Sequence, residues 1–407
     1  MKAVMYGGGN IGRGFIAKRF FLSGAHTTFI DVNADLVAGI AAAGRYPIYV
    51  TKGREYVPEW VENVTAVNGR DSDAVVEQIA DCDILATALG VNILPFVAEN
   101  LARGIAARYA RGARPLNILI CENLIGSGDY LRGLVAPHIS ADLADYFENS
   151  IGFVSVSVGI TVPPTPQRFL DENPLAVCTD LYNELPADAT GFRPVGAPFP
   201  VIDNLRPFSP FDFYIQRKLL IHNMGHATMA YLGYLKGYGF IYEVAEDEKI
   251  DAILRRALNE SASALAARHG VPESELADFV EHLIPRLYNP LLEDSIFRVG
   301  RDTRRKLSAG DRLGGAYIAV REQGKTPAAI GLGIAAALRF DMPEDEIGVE
   351  VSAFAKENGV ELTEEDAKAY FAQLNPKSGE LSDDELDAVA GGGCSGGESA
   401  EAVDPRP

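Results

Sequence analysis

The sequence predicts an α/β N-terminal domain built on a parallel sheet, followed by an all-α domain and an acidic, partly disordered tail. Three observations carry this. Apolar runs of strand length alternate with helical spacing from Lys2 to Val158. Beyond a stretch rich in proline and aromatics at Pro198–Pro210, only helical patterns follow. The acidity is unevenly placed: of a net charge of −19, residues 343–407 carry −13, with 17 acidic against 4 basic residues.

Lys2–Tyr6 reads as a short strand that runs into Gly7-Gly8-Gly9-Asn10-Ile11-Gly12, with a helix to about Ser23 and a second strand at Thr27–Asp31. Asp83–Ala88 and Asn117–Cys121 are further strands, with helical spacing over Ile93–Tyr109 between them. Gly152–Val158 is a later strand, ended by Val162-Pro163-Pro164-Thr165-Pro166. Helices are expected over Phe211–Leu235, Ala245–Arg268, Glu273–Leu287 and Pro327–Leu338. In the tail, Leu381–Ala390 reads as an acidic helix stopped by Gly391-Gly392-Gly393, with a disordered end after it. The expected divisions are residues 1–195, 196–342 and 343–407.

Composition narrows the function. A net charge of −19 disfavours nucleic acid and anionic membrane surfaces as partners. Cys82, Cys121, Cys178 and Cys394 lie far apart with no CxxC pair, which reads as buried thiols rather than a disulfide framework or a zinc site. No signal sequence is evident, nor an apolar run of about 18 residues. A cytoplasmic protein is expected.

Gly7, Gly9 and Gly12 form GxGxxG after a strand and before a helix. In this motif the first glycine makes the tight turn, the second lets the backbone approach a pyrophosphate, and the third lets helix and strand pack closely. The helix N-terminus, with Asn10 and Ile11, then offers free N–H groups to the anion. Asp31 ends the next strand 19 residues after Gly12, where an acid bonds a ribose 2′-hydroxyl and repels a 2′-phosphate. The N-terminal unit is therefore a Rossmann domain, and its expected cofactor is NAD.

The second informative stretch is Arg217-Lys218-Leu219-Leu220-Ile221-His222-Asn223-Met224-Gly225-His226. At α-helical pitch, His222 falls about 40°, His226 about 80° and Asn223 about 140° from Lys218. One side of an otherwise apolar helix thus carries Lys, Asn and two His. A basic run follows: Arg298, Arg301, Arg304, Arg305, Lys306 and Arg312, set in an acidic protein. Arginine forks suit phosphate oxygens.

On these motifs the chain resembles the polyol-specific long-chain dehydrogenases. The resemblance covers roughly residues 1–340. It rests on GGGNIGRGF at the start, TALG at 87–90, CEN at 121–123, the K-x4-N-x2-H helix, RLYNPLLED at 286–294 and RVGRDTRRKLSAGDRL at 298–313. The short lead before the glycine turn is similar to the phosphate-using branch. The resemblance implies NAD-dependent interconversion of mannitol 1-phosphate and fructose 6-phosphate without a metal. Lys218 would be the general base, Asn223 and Asn123 would hold the reacting oxygen, and His226 would bond a substrate hydroxyl or orient the lysine. Thr87 and Gly90 would join the cofactor site, and Arg301, Arg305 and Lys306 would hold the substrate phosphate. His222 lies outside the motif and would support it from behind.

Two departures stand out. Family members carry an Asp-Arg pair where this chain has Gly159-Ile160. If that Asp touches substrate, the substrate here differs, and a hexuronate or an unphosphorylated polyol is the alternative. Residues 359–394 resemble the double-glycine leader peptides of ribosomally made, modified peptides of the type named after nitrogen fixation. This implies a second alternative: an NAD-binding protein without turnover, whose tail recruits a peptide-processing partner.

Overall fold

The computed structural model describes residues 1–340, so the expectations for the tail lie outside the described residues. The chain begins with strands β1 (Lys2–Tyr6) and β2 (His26–Asp31), then β3 (Arg45–Lys52) and β4 (Glu55–Glu62). Next come β5 (Val64–Asn68), β6 (Ile84–Thr87), β7 (Leu116–Ile120) and β8 (Ile151–Ser155). Six of these form one sheet in the order β5-β2-β1-β6-β7-β8, with every neighbouring pair parallel. Counted within the sheet, this is the 3-2-1-4-5-6 order of a dinucleotide-binding Rossmann domain. Strand order reverses between β1 and β6, and ligands bind such sheets at the carboxyl ends of the strands flanking that point.

Both faces of the sheet are covered, as alternation along β1 requires. Ala3 and Met5 pack on one side with Phe15, Phe29 and Val154, while Val4 and Tyr6 pack on the other with Ile30, Leu85 and Ile118. The helices that supply these covers are Ala17–Leu22, Ser72–Asp81 and Leu94–Ala110.

A second, three-stranded sheet adds β9 (Val177–Thr179) to the β3–β4 hairpin, in the order β4-β3-β9. The strand rules miss this hairpin because Pro47 and Pro58 fall inside it, and proline removes a ladder donor. Gly53, at φ 63°, turns it. Strands β10 (Leu185–Asp188) and β11 (Leu205–Phe208) then pair in parallel. The chain is thus still bonded to the first domain at Phe208, past the expected division at 195.

The helical domain is organised around Met224–Leu235, against which Glu248–His269, Arg312–Glu322 and Ala328–Ala337 pack. Ala328–Ala337 (AAIGLGIAAA) is buried along its whole length. It can close on its neighbour because a Cβ at Gly333 would stand only 2.8 Å from Thr228 Oγ1. Among the described residues, no helix is long and apolar enough to cross a membrane.

Candidate active site

The glycine turn is built as its spacing implies. Gly7 has φ 108°, and a Cβ there would lie 2.5 Å from the Ala88 carbonyl oxygen. A Cβ at Gly12 would lie 2.0 Å from the Gly7 oxygen. Gly9 differs: a Cβ would meet no protein atom within 4 Å, so this glycine keeps space open rather than relieving a clash. That open cradle, with Asn10 exposed and Ile11 half-buried beside it, fits a pyrophosphate. Asp31 is fixed next to it. Its Oδ2 accepts from the Gly8 N–H at 2.7 Å and its Oδ1 from the Asn33 N–H at 2.9 Å.

The opposite wall of the crevice comes from the ends of β6 and β7. Gly90 is exposed, with φ 94°. Thr87 is fully buried, and its hydroxyl donates to Glu122 Oε2 at 2.7 Å. Glu122 Oε1 accepts from the Leu89 N–H at 2.9 Å. Thr87 therefore shapes the cofactor loop from beneath and offers no free hydroxyl to a ligand.

Lys218 enters from the helical domain. The segment Arg217–Asn223 is a π-helix, lodged between the α-helical stretches Asp212–Gln216 and Met224–Leu235. This corrects the angles drawn from α-helical pitch. With i→i+5 bonding, five residues make little more than one turn, so Asn223 comes back toward the side of Lys218. π-Helical turns inside α-helices are frequent at functional sites.

Lys218 shares a cavity of about 290 Å³ with Asn123, Ser155, Ser157, Ile215 and Arg305. Its Nζ donates to Asn123 Oδ1 at 3.2 Å, across the two domains. Burial, and then the positive charge of Arg312, bring its pKa down from 10.5 to about 8. A lysine so placed exchanges protons near neutrality.

The other helix residues are spread along the same rod. His222 is buried, and burial with nearby Arg286 holds its pKa well below the ordinary histidine value. His226, with its ring 6.4 Å from that of His222, sits on a smaller neighbouring cavity with Thr161, Arg286, Asn289 and Asp294. Asn223 is half-buried and does not line the cavity of Lys218.

The basic run divides. Arg305 faces Lys218 across the cavity and pairs with Asp311 at 2.8 Å, while Arg312 pairs with the other oxygen of the same carboxylate at 2.8 Å. Two guanidinium groups thus share one carboxylate close to the lysine. Asp302, 3.5 Å from Arg305, is largely exposed. Arg301 is exposed at the end of helix Ile296–Gly300. Lys306 does not join them. It is 3% exposed, and its ammonium is turned inward to donate to the carbonyls of Val299 and Arg301. Arg298 is likewise committed, to Asp294.

At the departure from the Asp-Arg pair, Arg286 Nη2 donates to the Gly159 carbonyl at 2.7 Å and to Asp180 Oδ2 at 2.6 Å. A Cβ at Gly159 would stand 2.8 Å from the Tyr182 ring, so an acid there would require Tyr182 to shift. Sequence reasoning gave no role to Arg286 or Asp294. The latter is the closing residue of RLYNPLLED, and the carboxyl end of that motif was the available signal.

A Rossmann crevice with an acid at the end of β2, facing a lysine from a helical domain, defines a nicotinamide-dependent dehydrogenase. The chain belongs to the mannitol dehydrogenase family. Residues 1–195 match the mannitol dehydrogenase Rossmann domain and residues 211–384 match the mannitol dehydrogenase C-terminal domain. It is an NAD-dependent polyol dehydrogenase. The second match overlaps the leader-like segment that begins at 359. A mannitol-1-phosphate 5-dehydrogenase of Brevibacillus brevis is 40% identical over 365 residues, covering 89% of this chain and 92% of the relative. A substrate-free D-sorbitol dehydrogenase shares the fold at TM-score 0.73 and 16% identity, over 95% of this chain and 90% of that one. The mannitol 2-dehydrogenase of Pseudomonas fluorescens, solved with NAD and D-mannitol, does so at TM-score 0.68 and 16% identity, over 96% and 93%.

Proposed function

We propose that the protein interconverts mannitol 1-phosphate and fructose 6-phosphate in the cytoplasm, without a metal, and that Lys218 is the general base. The observation that carries the reading is the shared cavity. A lysine with its pKa lowered to about 8, an amide and a guanidinium all line one space. The name of the Brevibacillus brevis relative supports the substrate.

NAD, held by Gly7, Gly9, Asn10, Ile11, Gly12 and Asp31 with Gly90 opposite, supplies a hydride acceptor when bound. Lys218 Nζ takes the proton of the hydroxyl being oxidised and returns it in reduction. Because Asn123 Oδ1 accepts from the lysine, its amide N–H groups remain to hold the reacting oxygen, a role for which Asn223 stands outside the cavity. His226 bonds a substrate hydroxyl. Arg305 grips the phosphate with Arg301 at the rim, and Lys306 contributes by anchoring the loop that carries both.

The test is NADH absorbance with mannitol 1-phosphate, mannitol and hexuronates, each with and without a chelator. The phosphorylated substrate should exceed mannitol in kcat/KM by at least about tenfold, the scale of one charged hydrogen bond. The chelator should change nothing. Equal kcat/KM without the phosphate would end the phosphate reading of Arg305. A second reading is favoured by Gly159: with Tyr182 filling the place of the family's acid, faster turnover of a hexuronate or of free mannitol would identify that substrate instead. NADH binding with no turnover of any polyol would favour a binding protein whose tail recruits a peptide-processing enzyme.

A further inference from the structure

The geometry points to Asp294 as the positioning residue of His226, with Arg298 locking Asp294 in turn. The inference rests on His226 being a substrate-site residue, as proposed above. Asp294 is 4% exposed, and its backbone is pinned, since its carbonyl oxygen accepts from the Ile241 N–H at 2.9 Å. Its carboxylate is held by a fork: Oδ1 accepts from Arg298 Nε at 2.6 Å and Oδ2 from Arg298 Nη2 at 2.5 Å. Oδ2 also lies 3.2 Å from His226 Nε2.

The consequence follows from donor and acceptor counting. An ionised carboxylate can only accept, so the shared hydrogen belongs to Nε2 of His226. In a singly protonated ring Nδ1 is then a bare acceptor, fit to receive a hydrogen from a polyol hydroxyl. Burial pushes the Asp294 carboxyl up, but the hydrogen bond and charge of His226, and then those of Arg298, outweigh it and hold the group below its ordinary value. Arg298 also supplies the buried carboxylate with a paired positive charge. This explains why Arg298, the first member of the basic run, points away from the phosphate set. A carboxylate that fixes the tautomer and orientation of a working histidine is a recurrent device.

The experiment compares Asp294→Asn, His226→Gln and the double variant in the full chain, with mannitol 1-phosphate and NAD. NADH affinity and Tm are measured alongside. His226→Gln should raise KM for the polyol at least about tenfold, with kcat changed far less, because a hydroxyl contact made in both ground and transition states is uniform binding. Asp294→Asn should reproduce that split, and the double variant should be no worse than the worse single. Multiplied effects in the double variant, or a normal KM in Asp294→Asn, would overturn the role of Asp294. A normal KM in His226→Gln would instead overturn the reading of His226, and the inference with it. Should Asp294→Asn fail to fold, nitrogen NMR of ¹⁵N-histidine-labelled unmutated protein decides. A proton on Nε2 and a free lone pair on Nδ1 are expected, and a proton on Nδ1 would overturn the proposal.

Discussion

Lys218 of the helical domain donates a hydrogen bond to Asn123 of the Rossmann domain at 3.2 Å, so the proposed base is oriented by the domain that binds the cofactor. The two domains thereby meet in a direct contact at the base.

Removing the lysine should separate binding from chemistry. Lys218→Ala is expected to keep NADH affinity while kcat falls at least roughly 10²-fold, the scale of a lost general base. Near-normal turnover would rule out the lysine mechanism.

The pH dependence has a definite sign. Oxidation needs Lys218 unprotonated, so kcat/KM for the polyol should rise with pH and level off above about 8. Arg312 lowers this pKa by its charge, second to burial. Arg312→Gln should therefore move the rise to higher pH, and a profile that stays put or moves acidic would contradict the assignment.

Two glycines of the turn, Gly9 and Gly12, should fail in different ways. Gly12→Ala places a Cβ 2.0 Å from the Gly7 oxygen, so both Tm and NADH affinity should drop. Gly9→Ala meets no protein atom within 4 Å, so Tm should hold while NADH affinity falls. Calorimetry paired with a binding titration distinguishes them, and unchanged affinity in Gly9→Ala would move the pyrophosphate elsewhere.

Asp31→Ser should weaken NAD binding by about tenfold or more, the loss of a charged hydrogen bond, and narrow the preference for NAD over NADP. Steady-state kinetics with both cofactors read this directly. An unchanged ratio would mean that Asp31 serves only the Gly8 and Asn33 amides.

Removing residues 385–407, beyond the family match, should leave kcat/KM for the polyol unchanged. A large loss would assign that segment to the enzyme itself.

Much of the fold was legible because its signals are local. The β1 turn, the strands at Thr27–Asp31 and Asn117–Cys121, and the helix Glu273–Leu287 follow from periodicity and from one glycine motif. The β3–β4 hairpin was hidden by Pro47 and Pro58, which read as strand breakers until β9 supplies a third strand. The site was legible in residue type more than in direction. Lys218 and Asn123 meet as the motif implies, but nothing in RRKLSAGDR tells that Lys306 turns inward while Arg305 faces the cavity. That choice is made by the carbonyls of Val299 and Arg301, which need a donor where the short helix ends. The π-helix at Arg217–Asn223 was equally invisible, since periodicity assumes α-helical pitch.

Glu122 gives the cavity a further property. It lines the same space as Lys218, yet its two oxygens are taken by the Thr87 hydroxyl and the Leu89 amide, so the carboxylate is held in place. Arg305 lines it too, paired with Asp311, whose other oxygen holds Arg312. The space thus holds one carboxylate fixed by two donors and, apart from it, the lysine and one arginine. For the phosphorylated polyol proposed above, this split favours the pose that sets the phosphate by Arg305 and away from Glu122.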